Sequence, residues 1–254
     1  MIFTLEKLFE KEKLKSHGRI TELDFLKGIA LILMILNHLF FDLSAFFAVD
    51  ISSFESLASI VGKTSAIIFM TVCGISATIG KRNIQNGLKL LALATALSIA
   101  TAVFDRVTGS EICIKFGILH FLGFAMIISY FCKKLPVPVL FLLAAVSYAL
   151  GKYFLSFFVN SPFLFPLGLR TRLFFSGDYY PLFPNLCYVF LGNALGKVLY
   201  KEKKSVFKKQ FKVFEPLRFL GRHTLVIYFV HQPLMLLILI IISFFLKNFN
   251  FIYF

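Results

Sequence analysis

Seven long apolar stretches, separated by short basic connections, leave this chain one workable environment. Backbone N–H and C=O groups inside a bilayer must be satisfied within their own segment, so such stretches cross as helices. They run approximately over 23–46, 57–79, 88–103, 113–132, 135–150, 180–199 and 219–246. The third and fifth are short, which fits little tilt or shielding by neighbours. With 58% hydrophobic residues, 34 phenylalanines in 254 residues and a mean hydropathy of +0.83, the composition excludes an ordinary soluble domain. The expected fold is an all-α, polytopic membrane bundle of about seven transmembrane helices. No internal repeat divides 21–254, which reads as one bundle after a basic, amphipathic arm over 1–20.

The formal net charge of +14 points to nucleic acid only until its placement is considered. Twenty of the 27 Lys and Arg residues fall in the N-terminal arm through Lys27, the 81–89 turn, Lys133-Lys134 and the 197–222 connection. All of these lie on one side of a seven-span topology, so the N-terminus is read as cytoplasmic and the protein as multi-pass in the cell membrane. An eighth span through 154–169 would put the basic 197–222 connection outside and is rejected. Pro162, Pro166 and Gly168 leave a re-entrant or surface-lying segment open there. No basic helix is interleaved with base-stacking aromatics, so no nucleic-acid partner is expected. The arm is rich in Lys and Glu and the first apolar run lacks a small-residue cleavage site, unlike a cleavable signal, and 1–15 reads as a short interfacial helix. Cys73, Cys113, Cys132 and Cys187 have no metal-ligand spacing and read as packing residues; no metal is expected.

The first apolar stretch carries more than crossing lipid requires. At 100° per residue, Asp24, Lys27, His38 and Asp42 share an arc of about 60°. Ionisable groups within a span are costly unless they face protein or water. Lys27 lies near the cytoplasmic end and suits an anionic group such as phosphate, and Asp24 can pair with it until a ligand arrives. His38 lies about 16 Å further along the axis, beyond the midplane. Asp42, four residues on, can fix its tautomer and stabilise its protonated form, as a general base requires. The structural alternative stays open: Lys27 snorkels, Asp24 caps the helix and His38 bonds a neighbouring helix.

A family pattern runs through the same residues: Arg19-Ile-x-x-Leu-Asp24-x-x-Lys27-Gly-x-Ala, then His38 and Asp42. Further on come Phe116-Gly-Ile-Leu-His120, Asp178-Tyr-Tyr-Pro-Leu-Phe-Pro184 and Leu191-Gly-x-Ala-Leu-Gly196. The pattern ends with Phe219-Leu-Gly-Arg-His-Thr-Leu-Val-Ile-Tyr-x-Val-His231-Gln-Pro233. Together these resemble the heparan-α-glucosaminide N-acetyltransferase-like family. The Lys27-x10-His38 spacing also resembles the basic-residue-x10-His signature of membrane acyltransferases that O-acylate bacterial glycans. The resemblance implies transfer of an acyl group, typically acetyl from acetyl-CoA, to a sugar or glycan across the membrane. It implies His38 as the catalytic histidine and Lys27 as part of the donor site; the helical spacing adds Asp42 as the group that orients His38, and Asp24 beside Lys27. Direct attack by the acceptor ranks ahead of an acyl-histidine intermediate.

Other candidates carry both readings. Arg222 either contacts a CoA phosphate or anchors helix seven. His120 and His231 either meet substrate or bond between helices. Arg172 and Asp178, in the longest external connection, either receive the acceptor or are solvated. Gly117 is expected to permit close helix approach, and Asp105-Arg106 to form a surface ion pair. Gly74-Ile-Ser-Ala-Thr78 is read as small-residue packing, or as a lining for the acyl path. The main rival function is a proton-coupled or small-anion transporter using the same polar stripe; a structural or assembly subunit is the third. Lipid contacts are implied throughout, and a homo-oligomer is left open.

Overall fold

The computed structural model describes residues 20–47, 49–50, 52–206 and 212–246. The interfacial helix expected over 1–15 lies outside the described residues. Eight helices are described: α1 Thr21–Phe47, α2 Glu55–Ile79, α3 Asn83–Thr108, α4 Ile118–Cys132, α5 Val137–Phe154, α6 Leu182–Leu199, α7 Glu215–Arg222 and α8 Thr224–Leu246. Among the described residues there is no strand, and the fold is a polytopic helical bundle. Helices α1, α2, α3, α5, α6 and α8 are long and apolar enough to cross a membrane. The fourth apolar stretch forms the shorter α4, whose 15 residues span about 22 Å.

Three boundaries differ from the sequence expectation. α3 covers 26 residues, longer than 88–103, and stops where Gly109 takes the left-handed conformation at φ 73°. α4 starts at Ile118 instead of Cys113, because α3 side chains occupy the preceding backbone. The Ser98 hydroxyl donates to the Ile114 carbonyl and Thr101 Oγ1 accepts the Ile114 N–H, while Asp105 accepts the N–H groups of Ile112 and Cys113. Asp105 therefore stitches this loop, where the sequence suggested an ion pair with Arg106. The helix expected over 219–246 divides at His223, where the Thr224 hydroxyl donates to the Gly221 carbonyl at 2.7 Å and competes with the helical ladder. The only helical piece of residues 155–181 is the short 3-10 turn Phe165–Leu167, so the rejected eighth span is not a helix.

α2 and α6 form the centre of the bundle. Gly74 and Gly192 let their backbones meet: a Cβ on Gly74 would overlap the Val189 carbonyl, and one on Gly192 the Thr71 carbonyl. Around this seam Met70, Phe121, Leu140 and Val189 are buried. A second seam joins α1 to α7, where a Cβ on Gly28 would overlap the Leu217 carbonyl and one on Gly221 the Asp24 carbonyl. The basic residues at this end are built into the fold. Lys133 Nζ donates to the Gly80 carbonyl at the end of α2. Lys197 Nζ donates to the carbonyls of Lys133 and Leu135 at 2.6 and 2.5 Å, satisfying groups left open after α4. Buried Glu22 accepts from Ser205 Oγ at 2.6 Å and from the Val206 N–H at 2.7 Å, pinning the connection after α6 to the first turn of α1.

Candidate active site

A cavity of about 420 Å³ runs between α1, α2, α3, α4 and the α7–α8 junction. At one end it is lined by Lys27, Asn83, Asn86 and Arg222; at the other by His38, Asp178 and Tyr180. Its middle is lined by Ala66, Phe69, Cys73, Ser76 and Met126. The sequence thus placed Lys27 and His38 on one face, and the fold turns that face inward. Of the residues singled out from sequence, Lys27, His38, Asp178 and Arg222 meet in this one space. Ser76 lines it while Gly74 packs against α6, so the Gly74–Thr78 segment takes part in both.

The end at Lys27 is cationic and polar. Lys27 Nζ lies 4.0 Å from Asp24 Oδ1, and Asp24 itself is buried. Arg222 donates to Glu215 at 2.9 Å, while its Nε is buried without a hydrogen bond. Asn83 donates to the Ala77 carbonyl at 2.7 Å and its buried Oδ1 has no partner. Buried groups of this kind normally find partners, so this end is equipped for a ligand with several polar atoms.

At the other end the His38 ring is fixed by its own helix. Its Nδ1 lies 2.9 Å from the Met34 carbonyl, which makes Nδ1 the protonated nitrogen and leaves the Nε2 lone pair to accept a proton. No hydrogen bond joins Asp42 to His38 among the described contacts. Asp42 is fully buried, and its Oδ1 accepts from Gln232 at 2.7 Å, so its influence on His38 is electrostatic. His231 stands edge-on to His38, with ring centroids 4.9 Å apart and its Nδ1 2.7 Å from the Tyr228 carbonyl. His120 stacks on Phe116 at 5.4 Å and does not line the cavity; Arg172 is exposed on the 155–181 connection and does not line it either.

Asp178 reaches His38 through a pairing that sequence periodicity did not reveal. Phe116 and Tyr179 form an isolated parallel bridge, with the Tyr180 N–H donating to the Phe116 carbonyl at 3.0 Å. This carries Asp178 to the start of α4, where Oδ2 accepts the Ile118 N–H at 2.8 Å. The sequence reading gave Gly117 to close helix approach; the group that approaches is the Asp178 carboxylate, which a Cβ there would overlap. Burial pushes the Asp178 carboxyl above its ordinary range, against the Ile118 hydrogen bond and the nearby His38. Burial and the Asp178 charge likewise push the Tyr180 hydroxyl up, so it stays a neutral donor. Tyr180, Tyr228 and Asn83 were missed in the sequence. The Asp178-Tyr-Tyr and Ile-Tyr-x-Val-His segments contained two of them, and Asn83 gave no signal.

Comparison with known proteins settles the family. The catalytic region described as "Heparan-alpha-glucosaminide N-acetyltransferase, catalytic" matches residues 19–233. The chain belongs to that family. No curated protein and no solved structure matches it. Membership makes this a membrane acetyltransferase-family protein, and the matched range takes in the whole cavity from Lys27 to Tyr228.

Proposed function

We propose that this chain moves an acetyl group from acetyl-CoA, entering on the cytoplasmic side, to a sugar or glycan acceptor at the external side of the cell membrane. In this reading 21–254 acts as one acyltransferase bundle, and 1–20 is a cytoplasmic arm. The observation that carries it is one continuous cavity that joins a cationic end to an imidazole with a free Nε2. The cavity has the size of an extended acyl-pantetheine arm rather than of a whole nucleotide thioester. The nucleotide phosphates therefore lie at the mouth, near Lys27 and Arg222.

His38 Nε2 takes the proton from the acceptor hydroxyl or amine as its heteroatom attacks the thioester carbonyl. The new bond to carbon forms, the carbon–sulfur bond breaks, and the departing thiolate receives the proton from His38. Tyr180 and Tyr228, both on the cavity wall, are placed to donate to the carbonyl oxygen as it gains charge. Asp178, at the same end of the cavity as His38, stabilises in its ionised form the imidazolium that develops. The test is acetyl transfer from acetyl-CoA in detergent or nanodiscs. His38→Ala is expected to lower turnover about 10²- to 10⁴-fold with an unchanged melting temperature. Full turnover by a folded His38→Ala variant, or solute flux in liposomes independent of CoA, is the contrary result.

A further inference from the structure

At the end of the bundle remote from Lys27, a second cavity of about 280 Å³ opens between the 155–181 connection and the segment leading into α4. Phe165 and Phe174 line it and stack at 5.3 Å, and Phe174 is backed by Tyr179 at 4.9 Å. The Lys115 ammonium lies 5.3 Å from the Phe174 ring centre, and Ser161 and Thr171 add hydroxyls to the wall. No carboxylate pairs with Lys115 among the described residues. The rim is apolar and projects outward, with Leu173 95% exposed and Phe163 83% exposed. Arg170 and Arg172 precede Leu173, and Arg170 rests on the Tyr179 ring at 5.9 Å.

Large apolar side chains this exposed are unfavourable in water and favourable at headgroup depth, where aromatic and cationic residues also concentrate. The volume falls below the range usual for drug-sized ligands, which suits a headgroup and not an extended chain of sugars. We propose that this cleft binds the phosphate headgroup of an anionic lipid in the external leaflet. The phosphate sits on Lys115 and the acyl chain runs along Leu173 and Phe163. The site adjoins the reactive chamber: the Lys115 N–H donates to Ser176 Oγ at 3.0 Å, and that hydroxyl donates to the Asp178 carbonyl at 2.6 Å. Lipid binding here is independent of acetyl transfer and is measured without turnover.

The chain contains no tryptophan, so Leu173→Trp installs a unique fluorophore at the rim. The full-length variant is reconstituted into phosphatidylcholine vesicles carrying equal small fractions of brominated phosphatidylglycerol or brominated phosphatidylcholine. Emission is expected to be blue-shifted, with half-maximal quenching at about five-fold less phosphatidylglycerol, the preference one lysine confers near a membrane surface. Adding Lys115→Ala should equalise the two lipids, and Lys115→Arg should keep the preference. Equal quenching with Lys115 intact, or emission typical of water and insensitive to both lipids, overturns the proposal. So does loss of the preference on adding soluble glycerol phosphate at a concentration too low to screen charge, which would make this a free-anion site.

Discussion

At the scale of single residues, the site depends on which groups hold which protons. His38 offers Nε2 because Nδ1 is committed to Met34, an arrangement internal to one helical turn. The polar line from Asp24 to Asp42 was legible in the sequence because helical periodicity alone sets it. Asp178 was legible only as a loop residue, since its position depends on Phe116 pairing with Tyr179 sixty-three residues away. Its raised carboxyl value has a definite sign. The folded state favours the neutral acid, so the associated stability is complete below the ordinary value of 3.8. That stability is lost as pH rises through the higher folded value. Asp178→Asn keeps an acceptor for Ile118 and should remove this part of the pH dependence of thermal melting. Asp178→Ala leaves the Ile118 N–H unsatisfied and should cost about 1–3 kcal/mol at any pH. Identical pH profiles for wild type and Asp178→Asn would remove the carboxyl from this role.

At the scale of elements, the apolar runs gave away the helices, while their ends were set by contacts no local pattern encodes. Asp105 and Thr101 hold the strand-like entry to α4, and Thr224 breaks the last run at His223. The Gly28–Gly221 seam is also non-local, and it sets the spacing between Lys27 on α1 and Arg222 on α7. Gly28→Ala and Gly221→Ala should each destabilise by about 1–3 kcal/mol through forced separation of the backbones. In purified protein that survives, both should raise the KM for acetyl-CoA more than they lower kcat. An unchanged KM in a folded variant would separate this seam from donor binding.

At the scale of the whole molecule, the cationic mouth, the lysine caps on α2 and α4 and the Glu22 latch all lie at one end of the bundle. We propose from the charge count that this end is cytoplasmic, and cysteine labelling tests it. In a variant with Cys73, Cys113, Cys132 and Cys187 replaced, Arg172→Cys should react with an impermeant maleimide on intact cells. Lys201→Cys should react only after permeabilisation; the reverse pattern would invert the topology.

The cavity takes His38 from α1 and Tyr228 from α8, with the α1–α7 seam holding the two regions together. During translation, therefore, the histidine is inserted nearly two hundred residues before the wall that completes its chamber. A ribosome-bound intermediate carries the base without its enclosure. On the function proposed above, thioester chemistry begins only when synthesis has delivered α8, which keeps half-made copies from wasting the donor.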